Sequence, residues 1–130
     1  MERKWIVTGL MLLITGIILG AFGAHALKAI IQDPARLISY ETGVRYQLIH
    51  AVAFLAVPFI LRHFSLEGKW MYRLLLTGVL FFSCSIYLLT MRDIWHLGGF
   101  GKAMGPITPI GGLLMILGWT LLLVAIIRKR

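Results

Sequence analysis

Four long apolar runs, each bounded by charged or helix-breaking residues, divide the chain. The first runs from Trp5 to Ala24, broken only by Thr and Gly, and reads as a helix over about 5–27. The second opens at Asp33-Pro34, an N-cap followed by proline at the first helical position, and covers about 34–61. The third covers about 70–91 and closes on Arg92-Asp93. The fourth, opened by Pro106 and Pro109, covers about 106–127 and closes on Arg128-Lys129-Arg130. Each reaches the ~20 apolar residues that a bilayer core about 30 Å thick demands. The pattern predicts an all-α integral membrane protein, with four transmembrane helices in one antiparallel bundle and a single domain over 1–130.

Local signals refine this layout. Ala24-His25-Ala26 has the small-x-small form of a signal-peptide cleavage site. The apolar run before it exceeds the ~7–15 residues of a signal core, so it reads as a retained helix. Gly9, Gly16 and Gly23 recur every seven residues, and Gly16 and Gly20 form a small-xxx-small pair. Such a stripe leaves a groove in which a second helix approaches closely. Ala26 to Ile31 reads as a short amphipathic piece, and Ile94 to Gly105 as the longest irregular segment. Pro58 is expected to kink the second helix, and Glu41 and Arg45 are spaced as an i, i+4 surface pair.

Composition agrees with a lipid solvent. The chain is 59% hydrophobic and only 14% charged, so a water-soluble fold could not cover its apolar surface. The net charge of +8 sits mainly at helix ends, without a basic stripe interleaved with aromatics, which excludes nucleic-acid binding. Four crossings place both termini on one side. Eight of the 13 Lys and Arg lie on that side, so the termini are expected in the cytoplasm and the protein in the plasma (inner) membrane. Cys84 is the single cysteine and permits no internal disulfide and no cysteine-based zinc site.

The remaining polar residues gather in the half away from the termini. His25 ends the first helix; Arg45, Tyr46, Gln47 and His50 lie early in the second; Ser83, Tyr87 and Thr90 lie late in the third; Thr108 opens the fourth. Tyr46, Gln47 and His50 share a helical face by spacing, as do Ser83, Tyr87 and Thr90. Hydrocarbon penalises an unpaired polar group, so these faces are expected to meet inside the bundle. The ligand-pocket candidates are therefore His25, Arg45, Tyr46, Gln47, His50, Ser83, Tyr87 and Thr108. For His50 a bond to Tyr87 or a serine across the interface outweighs a ligand role, because such pairs are common helix glue. Trp119 is expected to pack inside the bundle, and Trp5, Trp70 and Trp95 to anchor at the interfaces.

Four motifs occur in order along nearly the whole chain. They are Gly20-Ala21-Phe22-Gly23-Ala24-His25-Ala26-Leu27, Val44-Arg45-Tyr46-Gln47 with His50-Ala51, Phe82-Ser83 with Ser85 and Tyr87, and Thr108-Pro109-Ile110-Gly111-Gly112. Together they resemble the YgdD/YwdK-like small inner-membrane protein family of unknown function. The resemblance implies four membrane helices and no established activity, substrate or cofactor. Cys84 stands where the family pattern implies a small residue.

The functional expectation is a small polytopic membrane protein that binds or interacts through a polar pocket, with the lipid bilayer as its first partner. A second copy of the chain or another membrane protein is the further partner considered. A transporter or channel for a small solute or proton is the alternative; all five acids lie at helix ends or connections, so coupling would fall to a histidine. A haem or metal bundle using His25 and His50 is the second alternative. No catalytic residues, metal site or cofactor are assigned, and an enzyme is not expected: no carboxylate is embedded beside a Ser–His pair, and no carboxylates are paired.

Overall fold

The computed structural model describes residues 2–129; Met1 and Arg130, the latter expected at the membrane interface, lie outside the described residues. All described secondary structure is helical. Helix α1 (Glu2–Ile30) is followed by three residues outside any helix, of which Ile31 and Asp33 are extended. Helix α2 (Pro34–His63) is next, and Asp33 caps it by accepting from the Ala35 N–H at 3.0 Å. Helix α3 (Lys69–Met91) follows a short turn in which Ser65 has φ 48°. A short helix α4 (Gly98–Ala103) precedes α5 (Ile107–Arg128). Four helical stretches are long and apolar enough to cross a membrane, the last running from Gly98 to Arg128.

Two expectations change. The piece from Ala26 to Ile31 is mostly a continuation of α1, carried through a π turn at Gly23–Leu27. Leu27 and Ile31 are buried in a cluster with Tyr40, Val44 and Met91, and that packing holds the chain against α2 beyond the turn. The stretch expected to be irregular contains α4, entered through His96 and Gly98 at φ 51° and 50°. A second π turn, Leu80–Cys84, interrupts α3.

Glycine sets the two tightest helix contacts. A Cβ added to Gly9 would lie 2.9 Å from the Ala51 carbonyl oxygen, and one on Gly16 would lie 2.7 Å from Leu48 Cδ2. Gly23 lies against the ring of Tyr40. The seven-residue stripe of α1 therefore receives α2, as its spacing predicts. The α3–α5 pair uses the same device. Gly78 and Gly111 face each other, so that a Cβ on Gly78 would sit 2.8 Å from the Met115 backbone nitrogen.

The main core, at the end that holds the chain termini, joins Trp5, Phe54, Leu61, Met71, Leu75, Val79, Met115 and Leu122. Large apolar side chains such as Ile14, Ile18, Phe59, Leu113 and Leu123 point outward, where only lipid can cover them. Glu2 lies 4.0 Å from Arg62, and Lys129 Nζ donates to the Ser65 carbonyl at 2.8 Å. These contacts bring both ends of the chain to the α2–α3 turn. At the opposite end Arg36 and Asp93 form an ion pair at 2.8 Å.

Candidate functional site

Gln47 is the centre of the buried polar set and is only 5% exposed. Its amide nitrogen donates to the Leu12 carbonyl at 3.0 Å and to Thr15 Oγ1 at 2.8 Å. Its oxygen accepts from the Tyr87 hydroxyl at 2.7 Å. One amide thus joins α1, α2 and α3, with both of its N–H groups used.

His50 joins α2 to α5. Trp119 Nε1–H donates to His50 Nε2 at 3.1 Å, while His50 Nδ1 lies 2.8 Å from the Tyr46 carbonyl. An indole N–H can only donate, so Nε2 is the acceptor and the proton sits on Nδ1. The ring is a neutral imidazole with both nitrogens engaged. It offers no free nitrogen to haem iron or a metal in this arrangement, and among the described residues no cluster of three potential metal ligands occurs.

Smaller links complete the network. Ser83 Oγ donates to the Gly43 carbonyl at 2.8 Å, across α2 and α3. That approach depends on Gly43, where an added Cβ would lie 3.0 Å from the Tyr87 ring. Ser85 donates to the Phe82 carbonyl at 3.0 Å, and its oxygen lies 2.6 Å from Thr108 Oγ1. With the serine proton on the carbonyl, Thr108 is the donor of that pair. Tyr40 donates to the Leu19 carbonyl at 2.7 Å, and Thr8 pairs with Tyr72 at 2.7 Å.

Of the sequence-assigned residues, Gln47, His50, Ser83, Tyr87 and Thr108 enter this network. His25, Arg45 and Tyr46 add no side-chain hydrogen bond to it: all three are exposed, and Tyr46 contributes its backbone carbonyl, while its ring packs at a tilt on Phe82 with centroids 4.7 Å apart and lies nearly parallel to the His50 ring at 6.4 Å. The i, i+4 pair of Glu41 and Arg45 is not among the ion pairs of the described residues. Trp5 is 1% exposed and packs on Phe54 and Tyr72, so it is a core residue and not an exposed anchor. Sequence reasoning missed Thr8, Thr15 and Tyr40. Thr8 and Thr15 stand beside Gly9 and Gly16 in the same seven-residue rhythm, which was the available signal.

Two open grooves flank the network on the side away from the termini. The larger, about 420 Å³, lies between α2, α3 and α5 and is lined by Arg36, Ser39, Thr42, Thr90, Arg92 and Thr108, with Ala35, Ile86 and Leu89 as its apolar wall. Within it Arg36 Nη1 holds Asp93, Nη2 donates to the Thr90 carbonyl, and Nε is buried without an acceptor among the described residues. The second, about 310 Å³, is lined by Gly20, Gly23, Ala24, Tyr40, Glu41 and Arg45, among others.

Four apolar crossings, glycine-seated helix pairs and interior polar groups joined from helix to helix define a small polytopic integral membrane protein. The chain belongs to the family described as protein of unknown function (DUF423), which matches residues 19–112. A UPF0382 membrane protein of Staphylococcus aureus (strain bovine RF122 / ET3-1) is 36% identical over 123 residues, covering 95% of this chain and 94% of the relative. One from Schizosaccharomyces pombe is 40% identical over 106 residues, covering 82% and 86%. The UPF0382 membrane protein YwdK of Bacillus subtilis is 32% identical over 131 aligned positions, covering 97% and 98%. No solved structure matches the chain.

Proposed function

We propose that this protein binds a small polar ligand or lipid headgroup in the groove between α2, α3 and α5. It does so in the plasma membrane with both termini in the cytoplasm. The observation that carries this reading is the groove's lining: two guanidinium groups, Arg36 and Arg92, which share the single carboxylate of Asp93 and so keep a net positive charge, beside the hydroxyls of Ser39, Thr42, Thr90 and Thr108. Thr42 and Thr90 donate their protons to carbonyls of their own helix, so their oxygens remain acceptors. Such a surface suits a ligand carrying both an anionic centre and hydrogen-bond donors. The interior set around Gln47 and His50 then acts as the rigid frame that fixes the groove walls. The cytoplasmic placement rests on the excess of Lys and Arg at the termini and the α2–α3 turn.

Native mass spectrometry of the detergent-purified protein tests the reading. The wild type is expected to carry a bound lipid or small molecule, and Arg92→Gln with Ser39→Ala to lose it. Neither substitution touches the Gln47 or His50 hydrogen bonds. A wild type that carries nothing, or a variant that keeps the same adduct, overturns the proposal.

A further inference from the structure

A different groove, about 370 Å³, lies at the end of the bundle that holds the termini, between the start of α1 and the first turn of α3. Its lining is Lys4, Trp5, Lys69, Tyr72 and Arg73. Trp5 is 1% exposed, and its Nε1–H is buried with no acceptor among the described residues. An indole nitrogen can only donate, a buried donor left unmade is costly, and none of the described residues supplies its acceptor. Nε1 lies close to Gly68, where an added Cβ would be 3.5 Å away. Gly68 is the N-cap of α3, and no side chain caps that helix end. The first-turn N–H groups of α3 and the positive end of its dipole therefore lie beside the indole N–H.

The other polar groups of the wall have the same sign. Lys4, Lys69 and Arg73 are exposed cations; the Arg73 guanidinium stacks over the Trp70 ring at 5.1 Å, which holds it near the groove. The Tyr72 hydroxyl is engaged with Thr8. The nearby carboxylates do not line the groove: Glu2 faces Arg62 in a neighbouring one, whose wall Trp5 shares, and Glu67 is exposed and outside the lining. Among the described residues, cations and the indole donor line this groove and no carboxylate does.

We propose that this groove is a phosphate site: one anionic oxygen accepts from Trp5 Nε1–H, and the others face the α3 N-terminus, Lys4, Lys69 and Arg73. Helix N-termini with adjacent cations bind this chemistry readily, and the buried indole donor adds an anchor that surface lysines alone lack. Trp70, 64% exposed, places the groove at headgroup depth, within reach of a phospholipid phosphate or of phosphate in solution.

The full chain in neutral detergent, with its tryptophans labelled with nitrogen-15, provides the test. The Trp5 indole resonance is assigned by its loss in Trp5→Phe. Inorganic phosphate and a short-chain phosphatidylglycerol are titrated separately, each against chloride at matched ionic strength to remove screening effects. The Trp5 signal is expected to move downfield and saturate, and Lys69→Gln with Arg73→Gln to weaken that binding by about tenfold. A response to the lipid alone identifies a headgroup site, a response to phosphate alone a soluble-anion site, and a response to both the shared chemistry without discrimination. A Trp5 signal that neither probe moves beyond the chloride control, or equal affinity in the double variant, overturns the proposal. The larger groove on the opposite side is untouched by these variants, so either site can fail without the other.

Discussion

Adding one methyl group at Gly111 should do more damage than adding one at Gly112. A Cβ on Gly111 would press on the backbone nitrogen of Phe82 and stand 2.7 Å from the Gly78 carbonyl oxygen. Both are main-chain atoms of α3, so no side chain can turn aside, and α3 and α5 must separate. Their neighbouring contacts, Gly78 with Met115 and Gly118 with Leu75, would loosen together. Overpacking of this kind costs about 1–3 kcal/mol. At Gly112 the nearest atom to an added Cβ is Phe82 Cδ2 at 3.9 Å, an ordinary contact. Both substitutions gain roughly 0.5–1 kcal/mol from replacing glycine in a helix. Gly112→Ala should therefore be neutral or slightly stabilising, and Gly111→Ala should fall about 2 kcal/mol below it. Unfolding in mixed dodecylmaltoside–SDS micelles, followed by circular dichroism, measures the gap. Two variants that unfold within about 0.5 kcal/mol of each other would refute the close-packed α3–α5 seam.

The interior network makes two further predictions under the same unfolding assay. Gln47→Leu, Tyr87→Phe and the double variant should give a coupling energy of about 0.5–1.5 kcal/mol, since the Tyr87 hydroxyl donates to Gln47 at 2.7 Å; zero coupling would mean the bond is not made in the membrane. Trp119→Phe should cost roughly 1–2 kcal/mol by leaving His50 Nε2 without its donor, and should be nearly silent in a His50→Leu background.

Much of the candidate site's neighbourhood was readable from order along the chain, and less of its membership. An alternating path of four crossings places Ser83, Tyr87 and Thr108 towards the half away from the termini, while His50 lies near the middle of α2 and bonds to Trp119 near the middle of α5. Membership depends on azimuth, and there the chain was ambiguous. Gln47 and His50 point inward with Ala51 and Phe54, while Arg45, Tyr46 and Ile49 point outward. His25 looked like a partner of His50 on paper, yet it is exposed in the π turn that ends the glycine stripe. The partner of His50 proved to be Trp119, not Tyr87 or a serine, because α5 brings an indole donor to it while Tyr87 is engaged with Gln47.

The sequence by itself determined the solvent and, through it, the architecture. Long uncharged apolar runs must satisfy their own backbone groups in hydrocarbon, which leaves helices, and their number and breaks count the crossings. It also determined the α1 groove, because a seven-residue glycine rhythm can only lie on one face of a helix. The tertiary structure decided which polar atoms meet, that Trp5 is buried with an unmet donor beside the α3 N-terminus, and which grooves stay open. Apart from the glycine stripe of α1, helices α1 and α5 are apolar on all sides, so the alternation of apolar and polar positions assigns them no inward face. Hydrogen bonds between helices require placement to within about half an ångström, and only the seating of one backbone against another provides it.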